Sequence, residues 1–213
     1  MTSAEYLEAV RASYDEVADD YLRLVEAQFP LDLLGGALLA AFAERVRADA
    51  LGPVADLGCG PGHITAHLAG LGVDVSGVDL SPRMVDLART RHPRLAFAVG
   101  SMTALDLPDG ALGGILAWFA THHMPPETLA GIYAEFARTL APGGVLLLAT
   151  HLGAGEHTRP TSGYGGHPVS YESFLLPVEQ ILALLAEAGF RVEWRTVEEP
   201  TGREHARILA RRD

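Results

Sequence analysis

The sequence contains no lysine, no asparagine and a single cysteine, Cys59. Without lysine, the chain cannot use lysine Schiff-base chemistry or a Walker-type lysine to hold a phosphate. A lone cysteine cannot form a disulfide within the chain or a cysteine-rich zinc site, and it suits a reducing compartment. These absences exclude several classes of catalytic and metal chemistry.

Positive charge is also scarce, because 16 basic residues, all of them arginine, face 27 acidic residues and leave a net charge of −11. An acidic surface repels phosphate backbones, so we expect no nucleic-acid partner. Hydrophobic residues make up 48% of the 213 residues, which is typical of a folded globular chain and not of a disordered one. The length favours one domain.

Long hydrophobic runs are missing as well. The most apolar stretch, residues 31–46, is interrupted by Asp32, Gly35, Glu44 and Arg45, so we expect no membrane partner. The N-terminus is acidic and amphipathic, unlike a signal peptide, which has a basic start followed by an apolar block. We therefore expect a cytoplasmic protein, either a monomer or a homodimer.

Hydrophobic periodicity changes near residue 54. Before it, apolar residues three and four apart predict helices over residues 4–28 and, after Pro30, residues 33–50. Beyond it, short strands alternate with amphipathic helices. The predicted strands are 54–57, 73–78, 95–99, 112–119 and 145–150, and the predicted helices are 63–69, 82–91, 127–139 and 178–188. Two final strands, joined around Pro200 and Gly202, read as an antiparallel hairpin.

This alternation predicts an α/β fold: a Rossmann-like seven-stranded, mostly parallel sheet with a C-terminal antiparallel hairpin and helices on both faces. Residues 151–177 show neither the helical nor the strand periodicity, and the segment is longer than a simple connecting loop. We expect a single domain over residues 1–213, with N-terminal cap helices at 1–51 and an active-site insertion at 151–177.

A glycine loop follows the first predicted strand in the segment VADLGCGPGHIT, with glycines at 58, 60 and 62. Glycines at a strand-to-helix turn let the backbone approach a ligand and direct helix N-terminal amides at it. Asp79 ends the second strand about 20 residues later, the spacing of an acid that binds ribose hydroxyls. A nucleotide-like ligand is favoured; the alternative is a tight turn in which Asp79 caps the next helix.

The loop departs from the dinucleotide fingerprint G-x-G-x-x-G, because its third glycine comes one residue early and Asp56 precedes it. A carboxylate is unfavourable beside a pyrophosphate and favourable beside an ammonium or sulfonium group. The loop therefore disfavours NAD.

Five segments in order, VADLGCGPGHIT, VSGVDLSPRMVDLAR, VGSMTALDLPDG, ILAWFATHHMPPETL and LAPGGVLLLAT, resemble the successive motifs of class I S-adenosylmethionine-dependent methyltransferases. The flanking YDEVADDY and LLAEAGFRVE resemble its small-molecule branch. The resemblance implies transfer of the methyl group of S-adenosylmethionine to an O, N or C nucleophile of a small-molecule substrate. The alternatives are a non-catalytic module that binds S-adenosylmethionine or S-adenosylhomocysteine, and an NAD-dependent oxidoreductase.

The resemblance also implies roles for individual residues in binding S-adenosylmethionine. The methionine end would be held by Asp56, Gly58, Cys59, Gly60 and Gly62, the ribose by Asp79, and the adenine by Leu80, Met84, Gly100, Ser101 and Met102. Ala117 and Trp118 would lie beside the reactive methyl group, and Tyr14 and Tyr21 would close a lid or simply pack in the core. Two positions depart from the family pattern: Ser101 and Gly113 stand where acids are common.

The acceptor side is expected beyond the fourth and fifth strands, where ligands of open α/β sheets bind. His122 and His151 are the candidate catalytic residues, as bases or groups that orient the acceptor, because histidine titrates near neutral pH. His123, Tyr164, His167 and Tyr171 are candidate substrate-binding residues. The alternative for each histidine is a hydrogen bond to the backbone. We expect no metal, because no H-x-x-x-H or H-E-x-x-H motif occurs and adjacent His122 and His123 would point apart on a strand.

Overall fold

The structure is a computed structural model that describes residues 3–28, 32–199 and 202–213. Two helices come first, α1 (Ser3–Gln28) and α2 (Leu33–Ala48). Asp32 caps α2 by accepting a hydrogen bond from Gly35 N at 2.8 Å, whereas Pro30, expected before this helix, lies outside the described residues. None of the helices in the described parts of the chain combines the length and apolar character that a bilayer span requires.

The central part of the chain alternates strands and helices as predicted. In chain order the elements are β1 (Val54–Leu57), α3 (His63–Gly70), β2 (Val75–Asp79), α4 (Pro82–Arg91), β3 (Ala96–Val99), β4 (Leu112–Trp118), α5 (Pro126–Thr139) and β5 (Leu140–His151). They are followed by β6 (Glu156–Thr158), β7 (Ser173–Leu175), α6 (Val178–Glu187), β8 (Phe190–Glu198) and β9 (His205–Arg212). The predicted bounds of β1 and α4 are confirmed, and the other boundaries differ by at most five residues, because strand ends depend on pairing that lies outside the local sequence.

Seven strands form one sheet in the order β3-β2-β1-β4-β5-β9-β8. The first five are parallel, while β9 lies antiparallel between β5 and β8. The predicted fold class is confirmed. The strand order reverses at β1, where β2 lies on one side and β4 on the other, and open sheets of this kind bind ligands at the carboxyl ends of the strands that flank such a switch.

Two hydrophobic cores cover the two faces of the sheet. One contains Ile132 and Phe136 of α5 and Leu185 of α6, and the other contains Phe42 of α2 and Leu68 of α3. The continuously buried β1 and β4 are sandwiched between them, as strands of a parallel sheet must be.

Residues 151–177 do have regular structure, contrary to the expectation from periodicity. Strands β6 and β7 pair as a two-stranded antiparallel ribbon outside the main sheet, and a turn of 3₁₀ helix, Tyr164–Gly166, lies between them. Each strand has only three residues, too few to produce a clear alternation in the sequence.

Gly113 at the start of β4 has a steric reason to lack an acidic side chain. A Cβ built on Gly113 would lie 2.4 Å from the carbonyl carbon of Leu51 and 2.6 Å from Gly52 N. Gly113 N also donates a hydrogen bond to Pro53 O at 2.8 Å. The connection between α2 and β1 therefore runs directly against β4 and leaves no room for a side chain.

Candidate functional site

The glycine loop between β1 and α3 bends through left-handed backbone at Gly58, Gly60 and Gly62, whose φ angles are +74°, +52° and +79°. Gly58 also lies tightly against the chain that leaves β4, since an added Cβ would be 2.4 Å from the Ala120 Cβ. Both the conformation and the contact require glycine at position 58. The loop thus stands at the carboxyl ends of β1 and β4.

Asp79, at the end of β2, is held in place by two backbone amides. Its Oδ2 accepts a hydrogen bond from Gly60 N at 2.7 Å, and its Oδ1 accepts one from Ser81 N at 2.8 Å. Burial raises the pKa of Asp79 above its usual range. Capping of α4 is done by Ser81, whose hydroxyl accepts from Met84 N at 3.0 Å. Each carboxylate oxygen therefore keeps a lone pair for a donor in the cleft.

Asp56, in the middle of the same region, is fully buried and accepts a hydrogen bond from Thr65 Oγ1 at 2.6 Å. Burial raises the pKa of Asp56 to about 7, the Thr65 hydroxyl opposes this rise, and the nearby Asp79 adds to it. A carboxyl group in this state gains most from a cation placed beside it.

A cleft of about 730 Å³, counting its open part, lies between Asp79 and α1. Eleven of the residues predicted to bind the cofactor line it: Tyr14, Tyr21, Gly58, Gly60, Asp79, Leu80, Met84, Gly100, Ser101, Met102 and Trp118. Four do not: Asp56 and Cys59 line a neighbouring cavity, Gly62 packs against Phe97, and Ala117 is fully buried within β4. The size is that of a small-molecule site.

Helix α1 forms one wall of this cleft and is fastened to α4. The Asp15 carboxylate accepts hydrogen bonds from Ser81 Oγ at 2.6 Å and from Arg83 N at 3.1 Å. Arg83 in turn forms an ion pair with Asp19 at 2.9 Å. These contacts hold Tyr14 and Tyr21, which lie on the same helix, above the cleft.

Tyr14, on α1, is also connected to residues 151–177 through His123. The Tyr14 hydroxyl lies 2.7 Å from His123 Nε2, and His123 Nδ1 lies 2.9 Å from the Glu172 carbonyl oxygen. Because a carbonyl only accepts, Nδ1 carries the proton and Nε2 accepts from Tyr14. Burial lowers the pKa of His123 to about 4, which keeps the ring neutral. Tyr171 stacks on Tyr14 at a centroid distance of 5.6 Å.

His122 and His123 do not point apart on a strand, so that expectation was wrong. They lie on a single turn of 3₁₀ helix, Thr121–His123, because β4 has already ended at Trp118, and their ring centroids are 4.1 Å apart. His122 also meets His151, with 4.8 Å between ring centroids. The structure brings the two candidate catalytic residues together.

Both rings are neutral near pH 7 and have free nitrogen atoms. Burial lowers the pKa of His122 well below its usual range and that of His151 to about 4. Among the described residues, neither Nδ1 atom has a hydrogen-bond partner. Both atoms are also buried, and a buried polar atom without a partner is costly, so each would gain from a ligand donor that reaches it. Within residues 3–28, 32–199 and 202–213 we find no group of three or more His, Cys, Asp or Glu placed to hold a metal ion.

These rings line a second cavity of about 2440 Å³, counting its open part. Tyr164 and Tyr171 line it with His122, His123 and His151, five of the residues that the sequence assigns to the acceptor side. It adjoins the first cleft, because both are lined by Tyr14, Tyr21, Gly58, Trp118, Phe119 and His123. We call the first the cofactor cleft and the second the acceptor cavity, after the roles that the sequence predicts for the residues lining them.

His167 is the predicted substrate-binding residue that the structure places elsewhere. Its Nε2 lies 2.8 Å from Asp20 Oδ2 and its Nδ1 lies 3.3 Å from Glu16 Oε1. His167 lines neither cavity and instead connects residues 151–177 to α1.

Sequence reasoning missed Phe119, Arg203 and His205, all of which line the acceptor cavity. Phe119 adopts a left-handed φ of +54°. This backbone conformation is strained for residues other than glycine, and such strained residues cluster at functional sites. His205 is opposite His151 in the register between β5 and β9. The alternation in REHARILARR predicted a strand, and the strand order that brings it beside β5 has no local signal.

Comparisons with known proteins agree with this geometry. Residues 54–144 match the family described as methyltransferase domain. The chain is 38% identical over 110 residues to demethylmenaquinone methyltransferase of Beutenbergia cavernae, which covers 49% of this chain and 45% of that protein. It is 39% identical over 105 residues to N-demethylindolmycin N-methyltransferase of Streptomyces griseus, covering 46% and 44%. The chain thus spans less than half the length of either relative.

A solved structure of 1,6-didemethyltoxoflavin-N1-methyltransferase from Burkholderia thailandensis has the same fold, with a TM-score of 0.73 and 21% identity over 100% of this chain and 91% of that one. The ordered motifs, the strand order, the family match and these relatives agree. The chain belongs to the class I S-adenosylmethionine-dependent methyltransferases.

Proposed function

We propose that the protein transfers the methyl group of S-adenosylmethionine to an oxygen, nitrogen or carbon nucleophile of a small organic molecule. The observation that carries this proposal is the junction of the two cavities at Tyr14, Trp118 and His123. Bound S-adenosylmethionine supplies a methyl group on a positively charged sulfur, and methyl transfer needs the acceptor to be positioned in line and water to be excluded.

The cofactor cleft fits this molecule. The preorganised Asp79 carboxylate would accept hydrogen bonds from both ribose hydroxyls. Asp56, which lines the adjoining acceptor cavity and has a raised pKa, suits the ammonium of the methionine end. Gly58 and Gly60 provide close backbone approach. The Asp56 carboxylate would repel a pyrophosphate, which disfavours NAD as the ligand.

The adenine end is assigned to Leu80, Met84, Gly100, Ser101 and Met102. Ser101 Oγ lies 2.7 Å from Thr103 Oγ1 and accepts a hydrogen bond from Thr103 N at 3.2 Å. If Ser101 donates to Thr103, it keeps one lone pair for the adenine amino group. The bond is neutral and therefore weaker than the one an aspartate would make.

The acceptor cavity supplies groups that orient a nucleophile. Nδ1 of His122 and Nδ1 of His151 lack partners in the described structure, and both rings are neutral, so each can accept a hydrogen bond or proton from an acceptor O–H or N–H group. We assign these two residues the catalytic roles, and we assign His123, Tyr164 and Tyr171 to the walls that position the acceptor.

The surrounding elements form the roof of this site. We propose that α1 and residues 151–177 enclose it, and that the contacts of His167 with α1 help to close it. Helix α2 belongs to the same single domain but packs against α3 on a face of the sheet and lines neither cavity. The names of the two curated relatives, which specify demethylmenaquinone and N-demethylindolmycin, support a small organic acceptor. The net charge of −11 disfavours nucleic acid, and the single, buried Cys59 suits a reducing, cytoplasmic compartment.

The test is turnover. Purified protein is incubated with S-adenosylmethionine and pools of small phenols, amines and carbon acids, and formation of S-adenosylhomocysteine is measured. Turnover that depends on an acceptor supports the proposal. Tight binding of the cofactor without turnover, across chemically diverse pools, supports a non-catalytic binding module instead.

A further inference from the structure

Three arginines line the acceptor cavity of a chain whose net charge is −11. Arg207 is neutralised, because it lies 2.7 Å from Asp32 and 3.1 Å from Glu198. Arg159 is neutralised by Glu172, at 2.9 Å. These three carboxylates leave neither guanidinium available for a ligand.

Arg203 differs from both. Within the described residues no carboxylate lies within ion-pair distance of it, and it is exposed at the rim of the cavity. Asp56, another acid that lines this cavity, is engaged by Thr65 and lies at the glycine loop. In the part of the chain that the structure describes, Arg203 is therefore the uncompensated cation of the acceptor cavity.

The backbone fixes where Arg203 stands. The adjacent Glu204 carbonyl accepts a hydrogen bond from Leu152 N at 2.9 Å, and His205 pairs with His151 across β5 and β9. Arg203 is thereby anchored beside the end of β5, next to the histidine pair.

The electrostatic influence of Arg203 shows which groups it faces. The pKa values of His122 and His151 are lowered mainly by burial, and the charge of Arg203 lowers them further. The pKa values of Tyr164 and Tyr171 are raised by burial, and the same charge opposes that rise. Arg203 therefore faces the space that these four rings surround.

We propose that the methyl acceptor carries a carboxylate group, which Arg203 binds at the rim of the acceptor cavity. A guanidinium binds a carboxylate through two parallel hydrogen bonds, and a single cation in an acidic protein suits a monoanion better than a phosphate dianion. This inference rests on the proposed methyl transfer.

The carboxylate is an anchor and not the atom that is methylated. Arg203 and His151 line the acceptor cavity but not the cofactor cleft, whereas Tyr14, Trp118 and His123 line both. The reacting nucleophile must stand at the shared residues, next to the cofactor. The carboxylate lies in the unshared part, so it remains free in the product.

The test uses protein saturated with S-adenosylhomocysteine and three matched pairs of probes: benzoate and benzamide, cinnamate and cinnamamide, and indole-3-acetate and indole-3-acetamide. Calorimetry is expected to show that at least one acid binds roughly fivefold tighter than its amide, a modest factor because Arg203 is exposed. Phenyl phosphate is expected to bind more weakly than the preferred acid.

Arg203→Gln is expected to abolish the preference for the acid while the Kd for S-adenosylhomocysteine stays within twofold. Arg195→Gln is the matched control, because Arg195 is an exposed arginine on β8 that lines neither cavity, and it is expected to keep the preference. The inference is overturned if no acid binds, if acids and amides bind equally, if phenyl phosphate binds best, or if Arg203→Gln retains the preference. Failure of S-adenosylhomocysteine to bind would instead overturn the proposed function.

Discussion

Replacing Asp79 by asparagine is expected to weaken binding of S-adenosylhomocysteine without unfolding the protein. In the wild type, Gly60 N and Ser81 N each donate to a different carboxylate oxygen, so both oxygens are oriented toward the cleft. Asparagine keeps one oxygen and directs its NH₂ group at one of these two donors. One acceptor for a ribose hydroxyl is lost, and the charge that strengthens the other bond disappears.

The loss of a charge-assisted hydrogen bond corresponds to about 1.5–3 kcal/mol of binding free energy, or roughly a 10- to 150-fold higher Kd. Isothermal titration calorimetry measures the Kd, and thermal unfolding followed by circular dichroism checks the fold. Asp86→Asn, on the exposed side of α4, removes the same charge outside both cavities and is expected to leave the Kd unchanged. A Kd for Asp79→Asn within twofold of wild type, or an equal loss in Asp86→Asn, would refute the role of Asp79.

Three further predictions concern the same edge of the sheet. Gly58→Ala is expected to lower the free energy of unfolding, measured by urea titration, by about 2–4 kcal/mol, because Gly58 has a φ of +74° and lies against Ala120. Gly36→Ala, at an open helical position, is expected to raise it by about 0.5–1 kcal/mol in the same assay. Burial raises the pKa of Asp56 from 3.8 to about 7, so its contribution to stability is complete below pH 3.8 and lost as the pH rises toward 7. A ligand whose cationic amino group binds beside Asp56 is therefore expected to displace the proton of this carboxyl group at pH 6. Calorimetry in two buffers of different ionisation enthalpy measures the released proton, and undiminished release in Asp56→Asn would contradict this expectation. His122→Ala is expected to lower turnover and keep the Kd for S-adenosylhomocysteine within twofold, and a tenfold loss of binding or unfolding would make His122 a structural residue.

The parts of the molecule that follow from nearby residues were predictable. Ser81 caps α4 with Pro82 at the first helical position, and the glycines of the loop lie where the chain turns from β1 to α3. The position of Asp79 at the end of β2 follows from the same short-range pattern. Each feature depends on residues within a few positions along the chain.

The parts that depend on distant contacts were not predictable. The steric need for Gly113 comes from Leu51, and the proximity of His151 to His205 comes from the insertion of β9 beside β5. The pairing of His167 with α1 joins segments almost 150 positions apart. None of these partners leaves a mark in the local sequence, so Arg203, which depends on the same strand order, was missed.

We propose that the cleft at the carboxyl ends of β1 and β2 binds S-adenosylmethionine. Calorimetric titration of the purified protein, stripped of any ligand carried through purification, with S-adenosylmethionine, S-adenosylhomocysteine and NAD tests it most directly. We expect saturable binding of the first two with one site per chain, and no binding of NAD. Binding of NAD alone, or of none of the three, would contradict it.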